Sequence, residues 1–159
     1  MRPPIVAGCD GSLYAAAITT DGQVVAVGGW SKTNDVYLFA RSSGQMIQRI
    51  TGLPNVITHL AFSPNGNSLL INMWGKNGIR LFTSSDRWQH SAESGGDSDY
   101  AGESYGADFS RDGKRLVTTS FDGIIRLYDV TESGLRLIKN TRAIGGAQVF
   151  SAKFSNDQS

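Results

Sequence analysis

The chain has 159 residues, with 15 Lys and Arg against 14 Asp and Glu, for a net charge of +1. That balance lacks the basic surplus or stripe of a nucleic-acid binder, and no apolar run approaches the ~18 residues of a membrane-spanning helix. With 40% hydrophobic and 18% charged residues, 19 glycines and only four prolines, the chain can bury a core and favours short strands joined by tight turns.

The N-terminal "MRPPIVAGCDG" contains an apolar stretch too short for a signal peptide. Cys9 is the single cysteine, so no internal disulfide can form, which fits a reducing, cytoplasmic compartment. A first predicted strand, Leu13–Thr19, leads into the turn Asp21-Gly22, followed by strands Val24–Trp30, Val36–Arg41 and Gln45–Thr51. The cycle then restarts with Ile57–Ser63, the turn Asn65-Gly66, and strands Ser68–Trp74, Gly78–Thr83 and Trp88–Glu93. It restarts again with Ser104–Ser110, the turn Asp112-Gly113, and strands Arg115–Ser120, Ile124–Val130 and Leu135–Thr141. Val149–Ser155 begins a further pass that stops at Ser159. Asp-Gly and Asn-Gly supply residues that tolerate positive φ, as tight hairpins demand. No segment sustains a helical period.

The passes are copies of one unit. Ile18, Phe62, Phe109 and Phe154 each precede a turn and stand 44, 47 and 45 residues apart. A second landmark keeps step: "VYLF" at Val36–Phe39, "IRLF" at Ile79–Phe82 and "IRLY" at Ile125–Tyr128. A period of about 40–45 residues with several short strands per copy points to propeller blades. The expected fold is all-β: an arc of three four-stranded antiparallel blades, at about 12–51, 57–93 and 104–143, plus the first strand of a fourth at about 148–159. Rings close with ~4–8 blades. The favoured expectation is that the chain is a piece of a longer protein, since its last copy ends inside a turn. The competing expectations are self-association of two chains into a ring and a self-sufficient arc.

The run "SFDGIIRLYD", Ser120–Asp129, resembles the third-strand signature of the WD40-repeat β-propeller family, with Tyr128-Asp129 in place of Trp-Asp. The resemblance implies a protein-interaction scaffold with no chemistry of its own. More loosely, "GLPNVITHLAFSP" and "YGADFSRDGKRLVTTSFDG" resemble propellers of multidomain bacterial proteins, where such arrays accompany signalling or protease-like domains. Phe39-Ala40 and Phe82-Thr83 replace the Trp-Asp pair in the first two copies, and Gly52-Leu53 replaces the family's Gly-His. The hydrogen-bonded network of the family is therefore lost in those blades, while Asp122 with Thr118 or Ser120 keeps a remnant in the third. Apolar packing between blades preserves the fold without it.

Trp30, Trp74 and Phe121 each lie eight residues after a turn glycine, so they share one end of the ring. In the family resembled, the residue before the turn aspartate lies on the surface most used for partners, and Phe121 precedes Asp122 in that way. An aromatic arc suits a binding hot spot; burial of the three rings against neighbouring blades is the opposing reading. The segment "SGGDSDYAGE", 94–103, carries Asp97, Asp99 and Glu103, oxygen ligands of the type a hard cation takes. It has no EF-hand pattern, and a solvated acidic loop is the simpler expectation. Tyr100 and Tyr105 beside it either contact a partner or pin the loop. Arg136, Lys139 and Arg142 form a solvated edge that discourages strand pairing. His59, in an inner strand between Thr58 and Leu60, reads as a hydrogen-bonded structural histidine rather than a base, and His90 as a residue of the short outer strand near water; Cys9 has no basic neighbour to lower its pKa, and no hydrolase, zinc or phosphate-loop motif is present. The expectation is a scaffold binding a protein partner, with no catalytic residues and no cofactor. The rival is a propeller enzyme or metal-binding propeller using the acidic segment.

Overall fold

The computed structural model describes residues 11–155. Twelve strands run through it: β1 (Ser12–Ile18), β2 (Val24–Trp30), β3 (Val36–Ala40), β4 (Met46–Ile50), β5 (Ile57–Phe62), β6 (Ser68–Met73), β7 (Ile79–Thr83), β8 (Ala92–Asp97), β9 (Ser104–Phe109), β10 (Arg115–Ser120), β11 (Ile124–Thr131) and β12 (Gly134–Arg142). They form three four-stranded sheets, β1 to β4, β5 to β8 and β9 to β12, each in sequence order. Every neighbouring pair is antiparallel. Among the described residues, no helix is long and apolar enough to cross a membrane.

One local device starts every sheet. Thr19 Oγ1 donates to Asp21 Oδ1 at 2.6 Å, Ser63 Oγ to Asn65 Oδ1 at 2.7 Å and Ser110 Oγ to Asp112 Oδ1 at 2.6 Å. The same side-chain oxygens accept the N–H of Gln23, Asn67 and Lys114 at 3.0 Å. Gly22, Gly66 and Gly113 take φ of 69°, 74° and 70°, which costs a glycine nothing. The hydroxyl, the Asx residue and the glycine therefore fix each hairpin.

The sheets stack face to face. Between the first two lie Val24, Ala26, Val36, Leu38 and Ile50 against Ile57, Leu60, Leu69, Ile71 and Met73. Between the second and third lie Leu70, Ile79 and Leu81 against Ala107, Phe109, Leu116 and Tyr128. Strand β6 faces both ways, with Leu69, Ile71 and Met73 toward the first sheet and Leu70 toward the third. The second face also holds the buried polar Asn72, which donates to Ser104 Oγ at 2.8 Å and to Gly106 O at 3.2 Å. Each fully buried Val, Leu, Ile, Met or Phe side chain contributes about 1.5–3 kcal/mol, so the fold tolerates the loss of individual polar contacts.

Two predicted strands differ from the structure. The outer strand of the second sheet is Ala92–Asp97, not Trp88–Glu93. Trp88 is buried instead, edge-on to Phe62 at 5.4 Å, with its indole N–H donating to Gly66 O at 2.8 Å. Its backbone turns at φ 68°, held by a 2.9 Å bond from its N–H to Ser84 Oγ. Four of the ten residues of the acidic segment, 94–97, are thereby drawn into β8. The second difference concerns Val149–Ser155, which forms no strand. It lies along the third sheet: Val149 N–H donates to Ser120 O, at the end of β10, at 3.2 Å, and Lys153 Nζ and Phe154 N–H donate to the carboxylate of Asp108 in β9 at 2.9 Å. Among the described residues no second strand pairs with it. Cys9 and residues 156–159 lie outside the described residues.

Candidate functional site

The first strand of each sheet carries an irregularity at the same place. In β1 the register slips between Leu13 and Ala15, leaving Tyr14 unpaired. In β5 it slips between Ile57 and His59, leaving Thr58, and in β9 between Ser104 and Gly106, leaving Tyr105. A β-bulge inserts one residue and re-aims its side chain. Three consecutive sheets thus expose an off-register side chain at the same end of the arc.

The ends of β2, β6 and β10 meet this row. Trp30 is 52% exposed, Trp74 47% and Tyr14 62%. Phe121 is partly buried and stacks on Tyr105 with ring centroids 4.5 Å apart. Phe150 meets Phe121 edge-on at 4.7 Å. Tyr14, Val56, Thr58, Trp74 and Tyr105 line a groove of about 360 Å³. Trp74 is fixed in it twice: its backbone N–H donates to Val56 O at 2.9 Å and its indole N–H to Glu103 Oε1 at 2.7 Å. Thr58 Oγ1 donates to Ser104 O, tying the second sheet's bulge to the start of the third.

Trp30, Trp74, Tyr105 and Phe121 therefore come to one end of the arc. Tyr100 and Asp122 do not join them. Tyr100 is only 3% exposed, and its hydroxyl lies 2.6 Å from Thr118 Oγ1 and 3.1 Å from the Tyr128 hydroxyl. It stands one repeat after Leu53, the position where the family's histidine was sought, and both residues enter a core between sheets. Burial pushes the Tyr100 hydroxyl up to about 12, and burial likewise raises Tyr128, so both stay neutral donors. Asp122 binds Arg126 at 2.7 Å with side chains only 3% and 4% exposed. Burial works to raise the Asp122 carboxyl, but Arg126 and the N–H groups of Ile124 and Ala101 outweigh it and leave it lowered. The Arg126 guanidinium lies 3.8 Å from the Tyr100 ring centroid and also donates to Asp99 O at 2.7 Å. The remnant network expected around Asp122 and Thr118 thus exists in a rewired form, built on Tyr100 and Arg126.

The acidic candidates do not converge. Asp97 Oδ2 accepts the Tyr128 hydroxyl at 2.7 Å, and its Oδ1 accepts the Asp99 N–H at 2.8 Å. Glu103 holds Trp74. Among the described residues no three His, Cys, Asp or Glu side chains form a group that could hold a metal ion. His59 sits in β5, its pKa lowered by burial. His90 is exposed, and its ring Nδ1 lies 2.7 Å from Asp86. His90, through its backbone N–H and its ring, holds the Asp86 carboxyl down at about 2.

Sequence reasoning missed Tyr14 and Phe150. A signal was present: Tyr14, Tyr105 and Phe150 each stand four residues before the repeat landmarks Ile18, Phe109 and Phe154. Thr58 breaks the pattern in the second copy.

Residues 102–129, from just before β9 into β11, match the family described as WD domain, G-beta repeat. The chain is 26% identical over 141 residues to a Periodic tryptophan protein 2 homolog of Neurospora crassa, across 84% of this chain and 15% of that protein. Its fold matches the β-propeller domain of Myceliophteria thermophila Cps50 (Swd1), with TM-score 0.71 and 14% identity, over 90% of this chain and 46% of that one. The chain thus spans less than half the length of either. The third sheet carries a WD40 repeat, and the three sheets are blades of a partial propeller. The Periodic tryptophan protein 2 homolog is fungal, whereas the looser sequence resemblance is to bacterial multidomain proteins.

Proposed function

We propose that this chain is a protein-interaction scaffold built on WD40 blades, and that it binds its partner through the end bearing Tyr14, Trp30, Trp74, Tyr105 and Phe121. The observation that carries the reading is the half-exposure of Trp30 and Trp74 at equivalent positions of neighbouring blades. Large indoles facing solvent are what hot spots are built from. The blades supply a rigid base, so little ordering cost accompanies binding. The reading places the chain in a longer multidomain or signalling protein of the cytoplasm, in keeping with the 15% of its relative that it matches. It assigns no catalysis and no cofactor.

The test compares the wild-type chain with Trp30→Ala/Trp74→Ala and with Lys114→Ala at the opposite end. Partners are captured from extracts of the source cells and quantified. Losing two hot-spot side chains should lower affinity by about thirty-fold or more, while thermal unfolding stays close to wild type. Unchanged capture by the double variant would refute the assignment.

Ring completion by a second copy is a separate proposal, favoured by one observation. Leu137 and Ile138 are exposed on the outer strand of the third sheet, and Ile18 and Met46 on the first. Light scattering behind size exclusion would show a discrete dimer; a monomer at all concentrations counts against it.

A further inference from the structure

The groove at this end has a chemical bias. Three of its five lining residues are aromatic, Tyr14, Trp74 and Tyr105, one from each blade, and the others are Val56 and Thr58. None of the five is charged. One ionic group is tied to the groove: the Glu103 carboxylate, which accepts the Trp74 indole N–H at 2.7 Å. Glu103 is partly exposed, and no described cation forms an ion pair with it. A carboxylate on the indole N–H holds the ring in place at the groove wall. Aromatic faces attract a cation within ~6 Å of their centroids, and the neighbouring negative charge adds to that attraction. The same charge opposes an anionic group and gains nothing from a neutral one.

We propose that the groove between Tyr14, Trp74 and Tyr105 receives a lysine or arginine side chain of a partner peptide, with Glu103 at its rim. This deepens the scaffold reading and rests on it. It assigns the groove the task of selecting a basic residue, while the flanking Trp30 and the Phe121–Phe150 pair supply uncharged contact area. The mechanism is binding alone: the alkyl stem lies along the rings, and the charged head sits over their faces toward Glu103.

The experiment uses capped tripeptides Gly-X-Gly, where X is Lys, Arg, norleucine or Glu, titrated into the intact chain. The readout is the indole N–H resonance of Trp74, assigned by its disappearance in Trp74→Phe; buried Trp88 serves as the internal control. The Lys and Arg peptides should shift the Trp74 signal saturably in the millimolar range. Norleucine and Glu peptides should bind at least tenfold more weakly. Glu103→Gln should weaken the Lys peptide about fivefold, and Tyr14→Ala, at a largely exposed residue that leaves the fold alone, should weaken it several-fold. Equal binding of norleucine, preference for Glu, no saturable shift, or an unchanged Glu103→Gln variant would each overturn the proposal. Partner capture separates the two ideas. If Trp30→Ala/Trp74→Ala loses its partners while the Lys peptide fails to bind, the scaffold reading stands and this inference falls.

Discussion

Replacing Arg126 by methionine tests the rewired interior of the third blade. Arg126 and Asp122 are a buried pair, with side chains 4% and 3% exposed. The variant keeps the alkyl stem and removes the charge, leaving the Asp122 carboxylate buried without its counter-ion. Breaking such a pair costs about 3–5 kcal/mol. Asp122 retains the N–H groups of Ile124 at 2.9 Å and Ala101 at 3.2 Å, which places the loss at the lower end, about 3 kcal/mol. At ~2–4 °C per kcal/mol for a chain of this size, the melting temperature should fall by about 6–12 °C. Urea unfolding followed by fluorescence and circular dichroism measures the change, provided the two transitions coincide. Adding Asp122→Asn to Arg126→Met removes the stranded charge and should recover part of the loss. The exposed Arg136–Asp129 pair is the control, and Arg136→Ala should cost about 0–1 kcal/mol. A loss below ~1 kcal/mol in Arg126→Met, or no recovery in the double variant, would refute the claim that this pair replaces the family's network.

Trp88→Ala should destabilise the chain by about 3–5 kcal/mol, because the indole is buried against Phe62 and donates to Gly66 O; a loss under ~1 kcal/mol by urea unfolding would show that the turn carries no weight. Asp21 and Asp112 are held below the ordinary 3.8, chiefly by the hydroxyls of Thr19 and Ser110. A depressed folded-state pKa stabilises the fold above the unfolded value and loses that contribution as pH falls through the folded one. Asn65 already fills the same role in the second blade. Asp21→Asn/Asp112→Asn should therefore unfold like wild type near neutral pH and show a shallower fall in melting temperature below about pH 4. Parallel curves for the two proteins at low pH would rule out a contribution from these turns.

The architecture was legible from repetition. Ile18, Phe62, Phe109 and Phe154 mark a period that only short, tandem sheets satisfy, and the Thr/Ser-x-Asp/Asn-Gly turns are local chemistry that needs nothing beyond four or five residues to form. The placement of Trp30 and Trp74 at one end followed from the same period, because equivalent positions of equivalent units share an environment. Three things were decided only by packing. Trp88 reads as a strand residue by propensity, yet a cavity beside Phe62 and the carbonyl of Gly66 outbid the ladder and pushed β8 four residues onward. Tyr100 reads as a loop aromatic, but Thr118 and Tyr128 as partners for its hydroxyl drew it inside; Arg126, a charged residue in a strand, became buried against its ring and Asp122. The bulges that aim Tyr14 and Tyr105 outward depend on register against the neighbouring strand. Period and turn chemistry are properties of consecutive residues, and so the sequence by itself determined blades, hairpins and the shared end. Register, burial of polar groups and the shape of the groove depend on neighbouring strands and sheets meeting in space, and only the tertiary structure decided them.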